Sequence, residues 1–257
     1  MQLYAIKTRR IKPGDKVATI ILDALEKMDI GIDEGDVLAL ASKAVATAAD
    51  RIVDLKNVKP SEKARRTAEN FHLQPEFVEL VLKEADKIFG GVEKALLTLK
   101  NGNFHVNSGI DNKNAPEGHV VLLPKNPHKK AEEIRRKIES STGKRIGVII
   151  VDSGVHPLRM GTRGFAIGVS GFKPLKDYRN SKDLFQKRIY VTRHAIADDL
   201  ASAAHFLMGE ADEQIPAVLI KNAGVELTDE DYSGEMRISS KDCVFTSAFN
   251  LEEAKFL

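Results

Sequence analysis

Two acid-bearing segments of this chain each follow a strand-like run and carry oxygen-bearing neighbours. One is Asn107-Ser108-Gly109-Ile110-Asp111-Asn112-Lys113-Asn114. The other is the turn Asp152-Ser153-Gly154, directly after Ile146-Gly147-Val148-Ile149-Ile150-Val151. The second run is apolar on both faces, the pattern of a buried central strand. A carboxylate at the end of such a strand lies at the rim of a sheet, where sites form. Two carboxylates with oxygen donors beside them suit a hard divalent cation. The pattern points to metal-assisted phosphate chemistry, although an aspartate in a turn also serves to cap backbone N–H groups.

Other chemistries find less support. Ser141-Thr142-Gly143-Lys144 fails as a Walker A loop, because position 138 is Ile and position 145 is Arg. Gly164, Gly168 and Gly171 are spaced wrongly for a dinucleotide fingerprint, and no cysteine set could hold zinc. The single cysteine, Cys243, sits in the apolar stretch Cys243-Val244-Phe245 and reads as core rather than nucleophile. His156, just after the Asp152 turn, is the histidine to watch, with a polar loop residue as the simpler reading.

The elements that must position these residues read as a mixture. Strands are expected at the N-terminus, Val37–Ala41, Val120–Leu123, Ile146–Val151 and Ala217–Ile220. Leu96–Leu99 and Phe104–Val106 flank Asn101-Gly102, a strong hairpin signal. Helices are expected over Val17–Met28, from Pro60-Ser61, and from Pro75 with a stripe of Phe77, Leu80, Val81 and Ala85. Two more are expected over Ala131–Ser141, stopped by Gly143, and over Thr192–Met208 with Ile196, Leu200, Ala203 and Leu207 buried. The glycine-dense run 161–171 suggests a strand under close backbone approach. Strands and helices do not alternate regularly, so the fold class is α+β, with mixed sheets and flanking helices.

The chain has 257 residues, enough for one large domain or two small ones, and is 42% hydrophobic and 30% charged. A net charge of +2 gives no global reason to expect nucleic acid or an anionic membrane as partner. The basic clusters at Lys7–Lys12, Arg135–Lys137 and Lys144-Arg145 read as solvated faces. One cysteine permits no intrachain disulfide and fits a reducing cytoplasm. No run approaches a membrane span, and the N-terminus is too quickly charged for a signal peptide.

Taken together, the motifs resemble the coenzyme F420-0:L-glutamate ligase family (F420-0:γ-glutamyl ligase, CofE-like). The matching blocks run in order through Ile11-Lys12-Pro13-Gly14-Asp15, Gly35-Asp36-Val37-Leu38, Ser42-Lys43 and Val106–Asp111. They continue through Thr142–Ile150, Asp152, Gly164–Gly171, Asp183-Leu184, Val191-Thr192, Ala197-Asp198-Asp199 and Leu207-Met208-Gly209-Glu210. The resemblance implies a CofE-like fold over residues 1–257 as a single ligase unit, with division into two packed subdomains left open. It implies a GTP- and metal-dependent amide ligase that adds L-glutamate to the phospholactyl carboxyl of F420-0, then a second by a γ-linkage, through an acyl phosphate. It further implies Mg2+ or Mn2+, two ions with K+ as a further candidate, a cytoplasmic homodimer, and neither nucleic acid nor membrane as partner.

By the same resemblance, Asp111 and Asp152 are ligands of one metal and act catalytically through it; Ser153 stands where the family has a metal-contacting Thr, and Glu210 is a second-metal ligand. The nucleotide contacts are Ile11, Ser42, Lys43, Asn114, Met208, Gly209, Glu210 and Ile215. Arg159 and Arg163 are candidates to meet the deazaflavin phosphate or to make structural ion pairs. Four departures stand out. His156 replaces an Arg in the 152–157 turn; Thr47 replaces a Lys, with Arg9 or Arg10 as possible compensation; Thr8-Arg9-Arg10 replaces an apolar entry; and Ala211-Asp212-Glu213-Gln214 replaces a glycine-rich stretch. They leave open a ligase for a different acceptor or nucleotide, and a non-catalytic protein that binds nucleotide or deazaflavin.

Overall fold

The computed structural model describes residues 1–248. In chain order its elements begin β1 Gln2–Ile6, α1 Val17–Lys27, β2 Val37–Ala41, α2 Ser42–Ala48, β3 Ile52–Asp54, α3 Glu62–Phe71 and α4 Pro75–Glu84. Then come β4 Lys87–Val92, β5 Ala95–Lys100, β6 Asn103–Val106, β7 His119–Val121, α5 Pro127–Thr142, β8 Gly147–Gly154 and β9 Arg163–Ser170. The last are β10 Lys176–Asp177, β11 Arg193–His194, α6 Ile196–Met208, β12 Ala217–Lys221 and α7 Val244–Ala248. This is an α+β fold. Among the described residues no helix is long and apolar enough to cross a membrane.

The chain sorts into two compact units. The larger comprises Met1–Ala49, Pro124–Ser153 and Thr162–Met236; the smaller comprises Asp50–Leu123, Gly154–Gly161 and residues 237–248. The larger is built on a five-stranded mixed sheet in the order β1-β12-β2-β8-β9. Strand β1 pairs antiparallel with β12, β12 antiparallel with β2, and β2 parallel with β8. Residues Gly147–Asp152 of β8 are all buried, as a two-faced apolar run requires. Helix α5 packs on β9 and α1. It opens at Asn126, whose Oδ1 accepts from Lys129 N at 3.2 Å, and closes at Gly143 with φ 70°. Pro127 fits the first turn, so the helix starts four residues before the first apolar position of its sequence pattern.

Helix α6 lies on β9 at very short range. A Cβ on Gly164 would fall 2.5 Å from both the Ala201 carbonyl oxygen and His205 Cβ. A Cβ on Gly168 would fall 2.6 Å from the Pro127 backbone. Two hydrogen bonds stitch helix to strand: Ser202 Oγ donates to the Gly164 carbonyl at 2.7 Å, and Ala166 N donates to Asp198 Oδ1 at 2.9 Å. This proximity corrects two expectations. The helix buries Ala197, Leu200, Ala201, Ala204 and Met208; of the expected stripe, Leu200 is buried and Ile196 and Leu207 pack partly buried against the same core, while Ala201 and Ala204 take the place of Ala203. Alanines face the strand because only small side chains fit between backbones this close. The helix also begins at Ile196, because Arg193–His194 pair with Lys176–Asp177 as β11.

Arg135 is likewise not solvated: it is buried and donates to Ser170, Glu139 and Asp229, each at 3.0 Å. Buried cations persist when paired in this way. Cys243 is only half-buried, beside an exposed Val244, so the short apolar run is not core.

The smaller unit holds a three-stranded antiparallel sheet β4-β5-β6, the β3–β7 pair, and α3 packed on α4. Its core gathers Ala64, Ala68, Val78, Val81, Leu96 and Val120. The β5–β6 turn has positive φ at Asn101 and Gly102, 50° and 77°, as the Asn-Gly signal requires. Helix α4 buries the expected Leu80 and Val81, with Phe77 and Ala85 partly buried against the same core, and it buries Val78 and Glu79 as well. Glu79 is tolerated there because Ser61, which caps α3, donates its hydroxyl to Glu79 Oε2 at 2.6 Å.

A second charged group is held inside this unit. Glu84 accepts from Arg51 at 3.0 and 3.1 Å and pairs with Lys100. Burial pushes the Glu84 carboxyl up, but Lys100 and Arg51 outweigh it and hold the group below its ordinary value. Glu84→Gln leaves the Lys100 charge, 9% exposed, without its counter-ion. The expected cost is about 3 kcal/mol of unfolding free energy by denaturant titration. Because the folded carboxyl titrates below the unfolded one, Glu84 contributes its stability above the unfolded pKa. That contribution disappears as pH falls through the folded value, so the gap between variant and parent closes in acid. Gly164→Ala is expected to cost about 1–3 kcal/mol through overpacking against α6, read in the same titration.

Candidate functional site

Strands β2 and β8 are parallel, with Val37 opposite Gly147 and Ala41 opposite Val151. The next residues, Ser42 and Asp152, therefore emerge side by side at the carboxyl ends of adjacent strands. Ser42 opens α2, and its Oγ donates to Asp152 Oδ1 at 2.7 Å. Both are buried, at 3% and 8% exposure. Sites in sheets with parallel strands form at this edge. The structure thus joins one residue assigned to nucleotide with one assigned to metal. It also corrects the turn reading of Asp152-Ser153-Gly154: β8 runs on through Gly154, so Asp152 is a strand residue. Lys43 follows in the first turn of α2, and Thr47 is half-buried near its end.

Glu210 lies just past α6, beyond Gly209 with φ 72°. Its Oε1 accepts from Thr162 Oγ1 at 2.7 Å and faces His205 Nε2 at 3.0 Å. Neither Thr162 nor His205 carries a signal in the sequence; the first stands at the mouth of β9, the second on the last turn of α6. Met208 is buried, and Ile215 packs against the same core, so their side chains support the segment from inside. In place of a glycine-rich stretch, the Glu213 carboxylate accepts from Ala211 N at 2.9 Å and lies against Gly209. Backbone hydrogen bonds hold that carboxyl below its ordinary value.

Ile11 is half-buried in the segment between β1 and α1. Arg9 donates to both oxygens of Asp15 at 2.7 and 2.8 Å, and Lys12 N donates to Asp15 at 2.7 Å. The Arg9 hydrogen bond, first among these, lowers the Asp15 carboxyl to about 2. Arg9 is thus committed to Asp15 rather than held ready to replace a lysine at position 47.

Asp111 and Asn114 belong to the smaller unit. Asp111 exchanges backbone hydrogen bonds with Val121 at 3.1 and 2.8 Å, and its Oδ1 accepts from Lys113 N at 2.8 Å. The preceding turn is unusual: Asn107, Ser108 and Gly109 all have positive φ, at 51°, 57° and 68°. Thr98 Oγ1, accepting from Ser108 N at 2.9 Å, and Asn107 Oδ1, accepting from Leu96 N at 2.8 Å, hold it. Backbone strain of this kind persists where surrounding contacts over-determine it, and it concentrates at functional sites. His156 packs edge-to-face on Phe245 with ring centroids 5.5 Å apart, and its Nδ1 meets the Pro157 carbonyl at 3.0 Å. Arg159 and Arg163 are both exposed.

Among the described residues no three His, Cys, Asp or Glu side chains gather as a metal cluster. The donors that Asp152, Ser153 and Glu210 offer on the larger unit and Asp111 on the smaller are all oxygens. That chemistry fits a hard cation such as Mg2+ or Mn2+ and not zinc. Ser42→Ala removes a hydroxyl donor from a buried carboxylate. A loss of about 1–3 kcal/mol in unfolding free energy is the expected result, measured by denaturant titration.

Residues 5–222 match the family described as F420-0:Gamma-glutamyl ligase. The coenzyme F420:L-glutamate ligase of Methanopyrus kandleri is 38% identical over 220 residues, covering 85% of each chain. That of Archaeoglobus fulgidus is 38% identical over 237 residues, 91% of this chain and 93% of its own. That of Methanocaldococcus jannaschii is 42% identical over 195 residues, 76% and 78% of the two chains. A match of this length and identity, in a chain whose Ser42 and Asp152 meet at the end of parallel strands, places the protein in the F420-0:gamma-glutamyl ligase family.

Proposed function

We propose that this protein is a carbon–nitrogen ligase that joins L-glutamate to coenzyme F420-0 by an amide bond, and then adds a second glutamate through a γ-linkage. Family membership along most of the chain is the observation that carries this reading. GTP is the co-substrate. An oxygen of the acceptor carboxylate takes the γ-phosphoryl group, breaking its bond to GDP and forming an acyl phosphate. The glutamate amine attacks the acyl carbon, the carbon–oxygen bond to phosphate breaks, and the amine gives up a proton as the amide forms. No protein nucleophile is needed, in keeping with a chain whose single cysteine is peripheral to its core.

Asp111, Asp152, Ser153 and Glu210 are the residues that would hold Mg2+ or Mn2+, with K+ as a further cation. Bound there, divalent ions would neutralise the negative charge of the phosphate groups. Ser42 keeps the Asp152 carboxylate in one orientation, so that its charge is presented without rearrangement. Ile11, Ser42, Lys43, Asn114, Met208, Gly209, Glu210 and Ile215 contact the nucleotide, and the enzyme works as a cytoplasmic homodimer. A second reading, a related ligase with another acceptor or nucleotide, is favoured by two observations. His156 is packed on Phe245 where an Arg is expected, and Arg9 is tied to Asp15.

Incubation of the purified protein with GTP, Mn2+ or Mg2+, L-glutamate and F420-0, followed by mass spectrometry, decides between them. The expected outcome is addition of one or two glutamyl units, abolished by chelation and reduced at least about 100-fold in Asp152→Asn. Metal-dependent GTP turnover with another carboxylate acceptor, but none with F420-0, would establish the second reading. Nucleotide binding without any turnover would sink both.

A further inference from the structure

Glu210 is the least constrained of the proposed ligands by sequence, since it follows a helix end and a glycine with φ 72°. A carboxylate on such a segment would sample many orientations unless something held it. In the structure two side chains converge on the same oxygen. Thr162 Oγ1 donates to Glu210 Oε1 at 2.7 Å, and His205 Nε2 lies 3.0 Å from it. For an ionised Glu210 the His205 contact is a hydrogen bond only when Nε2 carries the proton. The two donors come from different elements. Thr162 immediately precedes β9, and His205 sits three residues before the end of α6.

Their placement follows from the close packing of α6 on β9. Gly164 is so close to α6 that its missing side chain would overlap Ala201 O and His205 Cβ, each at 2.5 Å. The strand that carries Thr162 at its mouth is therefore pressed against the turn of α6 that carries His205. The His205 side chain is 15% exposed and Glu210 34%, so the arrangement is partly withdrawn from solvent and not a mobile surface ion pair. Metal-binding carboxylates held by outer hydrogen-bond donors depend on those donors for orientation, and losing one typically weakens metal binding about 10–100-fold.

We infer that Thr162 and His205 are positioning residues that fix the Glu210 carboxylate for the metal-bound nucleotide. This rests on the proposal that Glu210 is a metal ligand. Neither residue would touch the reacting atoms; each acts through Glu210.

Binding of a fluorescent GDP analogue, titrated with Mn2+ in the absence of glutamate and F420-0, reads the effect without turnover. Thr162→Val and His205→Leu should each raise the Mn2+ concentration at half-maximal nucleotide binding about 10-fold or more, approaching Glu210→Gln. Thr162→Ser and His205→Gln, which keep a donor, should return it to near the parent value. Thr162 is exposed, so its Val and Ser variants decide the matter even if His205→Leu does not fold. Parent-like Mn2+ dependence in Thr162→Val, with a weakened Glu210→Gln, would overturn the positioning role while leaving Glu210 as ligand. Parent-like dependence in Glu210→Gln itself, or Mn2+-independent binding by the parent, would overturn the ligand assignment and the inference built on it.

Discussion

The larger unit depends on how closely the backbone of β9 approaches its neighbours. Gly164 and Gly168 let α6 and the start of α5 reach distances that a single methyl group would forbid. At Gly164 the helix presents the Ala201 carbonyl and His205 Cβ, and Ala197, Ala201 and Ala204 are buried beside Leu200 and Met208. Hydrogen bonds from Ser202 to Gly164 and from Ala166 to Asp198 then fix the helix along the strand as well as against it. Burial pushes the Asp198 carboxyl up, opposed by the Ala166 N–H that it accepts from.

A second constraint is the register of the parallel pair β2–β8. Alignment of Ala41 with Val151 brings the first residue after β2 beside the sixth residue of β8. Ser42 and Asp152 meet for that reason. Because both are buried, the carboxylate is dry enough for one hydrogen bond to matter, and a hydroxyl is the smallest group that can supply it. The smaller unit solves a related problem with full charges. Glu84 is kept ionised by Lys100 and Arg51, and the strained turn at Asn107–Gly109 is held by hydrogen bonds from neighbouring strands.

The departures from the family pattern acquire physical content in this frame. Arg9 does not present a free guanidinium, because Asp15 takes both of its N–H faces. The segment after Glu210 has lost glycines but carries Glu213, whose carboxylate accepts from the Ala211 N–H of its own loop. An anion supplied by the chain thus stands on backbone that a glycine-rich loop would leave open to an external one. His156 is held by Phe245 as a packed ring.

Much of this was legible in the residues alone, because local chemistry decided it. The apolar run 147–151 had to be buried on both faces, Asn101-Gly102 had to turn, Gly143 had to stop a helix, and the glycines of 161–171 had to admit a neighbour. The blocks shared with the family carried its membership and pointed to Asp111, Asp152 and Glu210. The buried face of α6 was legible only in part: Leu200 is buried and Ile196 and Leu207 pack against the same core, but Ala197, Ala201 and Ala204 went unread. Periodicity marks the large apolar side chains, whereas the alanines that a close glycine backbone admits carry little periodic signal. Arg135 read as surface because two of its partners, Ser170 and Asp229, lie far away in sequence. The contact between Ser42 and Asp152 spans 110 residues and follows from strand register, and the convergence of Thr162 and His205 on Glu210 follows from the packing of α6 on β9. Sequence determined which side chains could do chemistry. Tertiary structure decided which of them are held still, because orientation comes from partners that chain neighbours cannot supply.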